Sequence, residues 1–114
     1  MANIEYKDKT VFFKTQPVVF NFPIGDVIEK EDIVIVRLNI PPDNPTRKNI
    51  FALDYNAQFI WQVQAMKEAE PTLEESRYVA MREYYDGNIK ATDSNGFSFD
   101  ISSKDGKIIK YKLY

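Results

Sequence analysis

One eight-residue string is almost written twice. Asn49-Ile50-Phe51-Ala52-Leu53-Asp54-Tyr55-Asn56 returns 39 positions later as Asn88-Ile89-Lys90-Ala91-Thr92-Asp93-Ser94-Asn95, with five of the eight residues identical at the same offsets. A period of roughly 20 to 50 residues marks a repeated supersecondary unit. Each copy reads as strand, polar turn, strand. The repeat therefore predicts two equivalent hairpins, with Ile50 and Ile89 facing the same side of their sheet.

The rest of the chain has the same texture. Aromatic and β-branched residues gather in short runs at 10–14, 18–22, 33–40, 49–54, 59–64, 77–85, 89–92, 97–101 and 107–113, separated by Pro, Gly, Asn and Asp. Runs spaced about 8 to 12 residues apart, with turn signals between them, predict an all-β domain: an antiparallel meander forming a small sandwich or partly open barrel, with at most one short helix. At 114 residues the chain reads as a single domain, 1–114, large enough to bury a core without disulfides or metal. Ile33-Val34-Ile35-Val36 is apolar on both faces, so 33–40 is expected to be a central strand. Phe59, Trp61 and Val63 alternate with Ile60, Gln62 and Gln64, and Phe97, Phe99 and Ile101 with Ser98 and Asp100, giving each strand one core face. Asp86-Gly87-Asn88, Ser94-Asn95-Gly96 and Lys104-Asp105-Gly106 supply turn residues that accept positive φ. The stretch 65–85 is ambiguous; Thr72 and Glu75 have capping-box spacing, so it reads as a charged loop with at most a few helical turns near 72–76, then a strand.

Ala52-Leu53-Asp54, preceded by Asn49-Ile50 and followed by Trp61, resembles a blade repeat of the quinoprotein-type β-propellers. In those repeats an Ala-x-Asp strand leads through a Gly turn to a closing Trp. Ala91-Thr92-Asp93 with Gly96 keeps the first part and lacks the Trp, while in the first copy Ala57 stands at the turn glycine and Trp61 arrives one position early. The resemblance covers about a third of the chain and implies a hairpin design. Two copies cannot close a ring of about four or more blades, so no cofactor is carried over from that family and none is expected. The chain also resembles small β proteins of low-GC bacteria that end in a Gly-turn strand such as Gly106-Lys107-Ile108-Ile109, a resemblance that brings no assigned activity. Lysine outnumbers arginine 11 to 4, a balance that fits an AT-rich bacterial or phage gene.

Composition narrows the chemistry. With no histidine and no cysteine, imidazole acid-base catalysis, catalytic triads, thiolate nucleophiles, disulfides and the usual zinc sites are all excluded. The four glycines are scattered and form no phosphate loop. Asp26, Glu29, Glu31 and Asp32 form the densest carboxylate group, which reads as a solvated turn rather than a catalytic pair. Asp54-Tyr55-Asn56 and Asp93-Ser94-Asn95-Gly96 lack the closing glutamate of a calcium loop and read as hairpin turns. A net charge of -2 with mixed signs gives no basic footprint for nucleic acid, and no apolar run is long enough to span a bilayer. The start of the chain has no secretory-signal pattern, so a cytoplasmic protein is expected.

Binding is the remaining class. Trp61, Tyr78 and Tyr111 read as core or hairpin-partner aromatics, while Tyr84 and Tyr85, adjacent in a strand, should point to opposite faces and expose one ring. Tyr114 belongs to the same aromatic set. Connections of a meander alternate between its ends, which predicts that the loops 41–48, 65–76 and 93–96 share a rim. That rim would combine Asp43, Arg47 and Lys48 with Glu68, Glu70, Glu74 and Glu75, assisted by Arg82 or Tyr84. The expected function is a small non-enzymatic protein that inhibits or neutralises a partner protein, as immunity proteins and viral antagonists do. The alternative is a sequestering protein for a small anionic or nucleotide-like ligand, with Arg47, Lys48 or Arg82 on phosphate, either as a single chain or as a homo-oligomer.

Overall fold

The doubly apolar run around Val34 lies inside the middle one of three β layers. A computed structural model describes residues 4–113. β1 (Glu5–Lys7), β2 (Thr10–Phe12) and β3 (Pro17–Val19) form an N-terminal antiparallel sheet. β4 (Ile24–Glu29), β5 (Ile33–Leu38), β6 (Ile50–Asp54) and β7 (Phe59–Gln62) follow as a four-stranded meander. After a single helical turn, α1 (Met66–Ala69), a second meander contains β8 (Tyr78–Glu83), β9 (Ile89–Asp93), β10 (Phe97–Ile101) and β11 (Ile108–Leu113). The fold is thus all-β and antiparallel with one short helix, and no sheet closes into a barrel. Tyr114 lies outside the described residues.

Two apolar cores flank the middle sheet. Between the two meanders lie Ile35, Ile50, Ala52, Trp61 and Val63 from one side and Tyr78, Met81, Ile89, Ala91, Phe99 and Ile101 from the other, with Met66 and Leu73 of the connecting segment closing the end. On the opposite face Val34, Val36, Leu38 and Leu53 meet Val11, Phe13 and Phe20 of the N-terminal segment. Successive residues of β5 and β6 are therefore buried on alternate sides, which is why β5 carries no polar alternation until Arg37.

Ile50 and Ile89, both fully buried, face the same inter-sheet core, and their hairpins have the same turn. Asp54 accepts hydrogen bonds from the backbone N–H of Asn56 (2.9 Å) and Gln58 (3.0 Å); Asp93 accepts from Asn95 (3.1 Å) and Phe97 (2.7 Å). Three residues after each aspartate the backbone turns left-handed, at Ala57 (φ 66°) and Gly96 (φ 90°). The equivalence extends to the neighbours. Ile35 and Trp61 flank Ala52 as Met81 and Phe99 flank Ala91, so β5–β6–β7 and β8–β9–β10 are matching three-stranded units.

Each outer strand of the two meanders carries one extra residue against its neighbour: Gly25 in β4, Ile60 in β7, Val79 in β8 and Ile109 in β11. A bulge bends an edge strand and interrupts its free ladder, which blunts edge-to-edge pairing. The bulge at Ile60 also corrects the alternation expected for β7. Phe59 pairs with Leu53 and packs against Phe20 and Phe51 on the N-terminal side, whereas Trp61 pairs with Ala52 in the inter-sheet core.

Two further expectations change. Asp26 and Glu29, read with Glu31 and Asp32 as a solvated turn, lie in strand β4; Gly25 and Asp26 interrupt the apolar pattern at the bulge, and Asp26 forms an ion pair with the buried Arg37 (2.6 Å). The helical turn lies at 66–69 rather than 72–76. Glu75, expected inside a capping box with Thr72, reaches back to the N–H groups of Met66 (2.9 Å) and Lys67 (3.1 Å), satisfying donors at the start of α1.

Candidate functional site: the open face of the C-terminal sheet

The second meander has one covered face and one on which no other described sheet packs. Because Met81, Ile89, Ala91, Phe99 and Ile101 point into the core, the residues between them point out. The strand registers arrange these outward residues in two rows. One row runs Ala80, Thr92, Ser98, Lys112; the next runs Arg82, Lys90, Asp100, Lys110. Four cations and one carboxylate thus share a single sheet face on a chain whose net charge is -2.

Asp100 sits between two of the cations, 3.0 Å from Lys90 and 3.5 Å from Lys110. Arg82 makes no ion pair among the described residues; its guanidinium lies 5.2 Å from the centre of the Tyr84 ring, which the Lys90 ammonium also approaches at 4.6 Å. Cation–π contacts of this kind hold the charged heads over the ring without neutralising them. Two adjoining depressions mark the floor. One, of about 150 Å³, is lined by Ala80, Met81, Arg82, Lys90, Thr92 and Ser98. The other, of about 310 Å³, shares Lys90 and Ser98 and adds Asp100, Lys110, Tyr111 and Lys112.

Of the residues expected at the site, only Arg82 and Tyr84 lie here. The strand ends at Glu83, so Tyr84 and Tyr85 do not alternate as strand neighbours; their rings pack at 4.3 Å, with Tyr84 half-buried and Tyr85 90% exposed. The loops 65–76 and 93–96 do adjoin: Ser76 donates to the Asp93 carboxylate, and the Ser94 N–H donates to the Arg77 carbonyl (2.9 Å). Their charges, however, hold the loops themselves. Glu68 accepts from the Ala65 N–H (3.1 Å), and Glu70 accepts from the N–H and hydroxyl of Thr72. Arg47 donates to the carbonyls of Asn44 (2.6 Å) and Thr46 (3.1 Å), the Lys48 carbonyl accepts from Gln62, and Asp43 is exposed in the turn. No ion pair joins Arg47 or Lys48 to these glutamates among the described residues.

Lys90, Thr92, Ser98, Lys110 and Lys112 share this face with Arg82 and were not among the residues expected at a site. For Lys90 and Thr92 a signal was present in the second repeat copy, where they replace Phe51 and Leu53 of the first, as Ser94 replaces Tyr55; Ser98, Lys110 and Lys112 lie outside the repeat.

Behind this face, Tyr78 is buried and its hydroxyl has no hydrogen-bond partner among the described residues. Burial pushes its ionisation well above the usual phenol range, and the negative charges of Asp93 and Glu75 push it further. No group of acidic residues arranged to hold a metal ion occurs among the described residues, and no described helix is long and apolar enough to cross a membrane. The chain belongs to the family described as a domain of unknown function, DUF7957, which it matches over residues 1–113. No curated protein and no solved structure matches it.

Proposed function

We propose that the chain is a small non-enzymatic binding protein that receives an acidic surface of another protein on the open face of its C-terminal sheet and thereby neutralises that partner. The observation that carries this reading is the segregation of Arg82, Lys90, Lys110 and Lys112 onto one face. Exposed cations on a rigid sheet, Arg82 and Lys110 foremost here, steer an oppositely charged partner and suppress wrong ones, contributing more to encounter rate and selectivity than to folding. The bulged edges favour a face over strand addition as the binding mode. Tyr85, large and exposed beside this face, supplies an aromatic anchor at its border.

The test is capture from an extract of the cells that encode the protein. The double reversal Arg82→Glu/Lys110→Glu should abolish capture of an acidic partner at low salt, while Arg47→Glu/Lys48→Glu should leave it largely intact. The sheet variant should stay within about 1 kcal/mol of the parent in stability, since exposed charges contribute little to folding, and the loop variant should lose somewhat more because Arg47 no longer donates to the Asn44 and Thr46 carbonyls. Loss in the loop variant with retention in the sheet variant would move the site to the rim of 41–48 and 65–76.

A further inference from the structure

We propose that the outer face of the N-terminal sheet, together with the groove between β3 and β7, is the contact surface for a second copy of this chain. The inference goes beyond the docking face and does not rest on it. In the N-terminal sheet the row Tyr6, Val11, Val18 lies between the rows Glu5, Phe12, Pro17 and Lys7, Thr10, Val19. Val11 is fully buried against the middle sheet, so by strand alternation the two flanking rows face away from it. Phe12 and Val19 are thereby left 46% and 70% exposed.

The exposed apolar surface continues past β3. A groove of about 370 Å³ opens between β3 and β7, lined chiefly by Val19, Phe20, Phe22, Phe51 and Phe59. Phe20, Phe51 and Phe59 meet one another at 5.6 to 6.0 Å, yet Phe59 remains 58% exposed and Ile60 beside it 48%. The N-terminal sheet covers Val34, Val36 and Leu53 but stops short of β7, which leaves that edge of the middle sheet open. Adjoining exposed apolar side chains of this size mark an interaction surface, whereas single ones scattered over a protein do not.

Charge decides the occupant. None of the described residues lining the groove is charged, and the two outward rows beside it carry one carboxylate, Glu5, and one ammonium, Lys7. A face with charges of one sign repels its own copy, whereas a balanced one can complement itself. Two-fold symmetry makes that self-complementarity explicit. An axis lying over the row Tyr6, Val11, Val18 exchanges the two flanking rows. Glu5 of each copy then stands opposite Lys7 of the other, and Val19 opposite Pro17. The same rotation brings the two uncharged grooves together beyond β3, so the apolar surfaces of both copies are covered at once.

The test is analytical ultracentrifugation of the full chain from about 1 to about 500 µM, where the mean mass should rise from monomer toward dimer. Val19→Lys changes a side chain that is exposed in the single chain. It should weaken the dimer by about tenfold or more and leave thermal unfolding of the dilute monomer unchanged. At low salt Glu5→Lys and Lys7→Glu should each weaken the dimer, because each sets like charges opposite one another. An equal mixture of the two variants should restore it, since every facing pair then joins opposite charges. Arg82→Glu/Lys110→Glu, on the other side of the molecule, should dimerise as the parent does. A parent that stays monomeric over the whole range would overturn the proposal, and saturable binding of indole by that monomer would give the groove to a small aromatic ligand instead. A dimer that Val19→Lys leaves intact would also overturn it by placing the contact elsewhere. So would a mixture of the two charge variants that associates no more tightly than either alone.

Discussion

The units β5–β6–β7 and β8–β9–β10 carry apolar residues inward, identical at the centre of the repeat, and opposite chemistry outward. Inward, Ile50 and Ala52 match Ile89 and Ala91, and both sets face one shared core. Outward, the first unit presents Val34, Val36, Phe51, Leu53 and Phe59, and the second presents Ala80, Arg82, Lys90, Thr92, Ser98 and Asp100. The N-terminal sheet covers the first of these faces and leaves the second bare. One hairpin design thus serves as a middle layer in one place and as an open binding surface in the other. The repeated positions hold the scaffold together, and the variable positions between them decide what each copy meets.

The largest test of this contrast exchanges the variable residues. Leu53→Thr should cost about 3 kcal/mol in urea unfolding, because it removes buried apolar volume and buries a hydroxyl. Thr92→Leu should change stability by less than about 1 kcal/mol, since its side faces solvent. Similar losses for both would mean that the open face is covered.

The leading asparagines differ next. Asn49 is fully buried; its amide donates to the carbonyls of Leu38 and Tyr78 (both 2.8 Å), and its carbonyl oxygen accepts from the Tyr78 N–H (2.9 Å). The Asn88 side chain accepts one bond, from the Ser103 N–H (3.2 Å). Asn49→Ala should therefore cost about 2 kcal/mol or more by leaving backbone groups of the other meander unpaired, and Asn88→Ala about 1 kcal/mol or less. Equal effects in thermal unfolding would erase this distinction.

The two turns sharpen the comparison further. A methyl group added at Gly96 meets no atom within 4 Å, so Gly96→Ala reports the left-handed backbone alone and should cost about 1 kcal/mol. At Ala57 relief of the same strain is offset by loss of a buried methyl group, so Ala57→Gly should fall within about 0.5 kcal/mol of the parent.

The smallest effect at neutral pH belongs to the residue facing the repeat aspartate. Ile33 pairs with Asp54, whereas Tyr78, with its unpartnered hydroxyl, pairs with Asp93. Tyr78→Phe should leave stability at pH 7 unchanged or raise it by up to about 1 kcal/mol. In the parent, the raised ionisation of Tyr78 means that the unfolded chain deprotonates first. Stability is full below the ordinary phenol value of 10.0 and falls as pH rises from there toward the folded-state value. The phenylalanine variant should lose that part of the alkaline decline, which chemical unfolding between pH 9 and 11 would measure.

The chain's own order determined its antiparallel β character, the hairpin boundaries around 97–101 and the two matching Asp turns, because these depend on contacts between near neighbours and on residues with local backbone preferences. It also marked β5 as covered on both sides, since four consecutive apolar residues have no other stable place in a strand. Only the tertiary structure decided which layer covers β5, where the edge bulges fall and which outward face stays bare. Those outcomes depend on partners far apart in sequence, such as Val11 with Val34 or Asn49 with Tyr78. The roles of the rim charges were not legible for the same reason: a charged residue reads alike whether it caps its own loop, as Glu75 and Arg47 do, or faces solvent on a rigid sheet, as Arg82 does. Lys90 and Thr92 were legible as polar positions in the repeat, but their meeting with Ser98 and Lys112 exists only once β8 to β11 are in register.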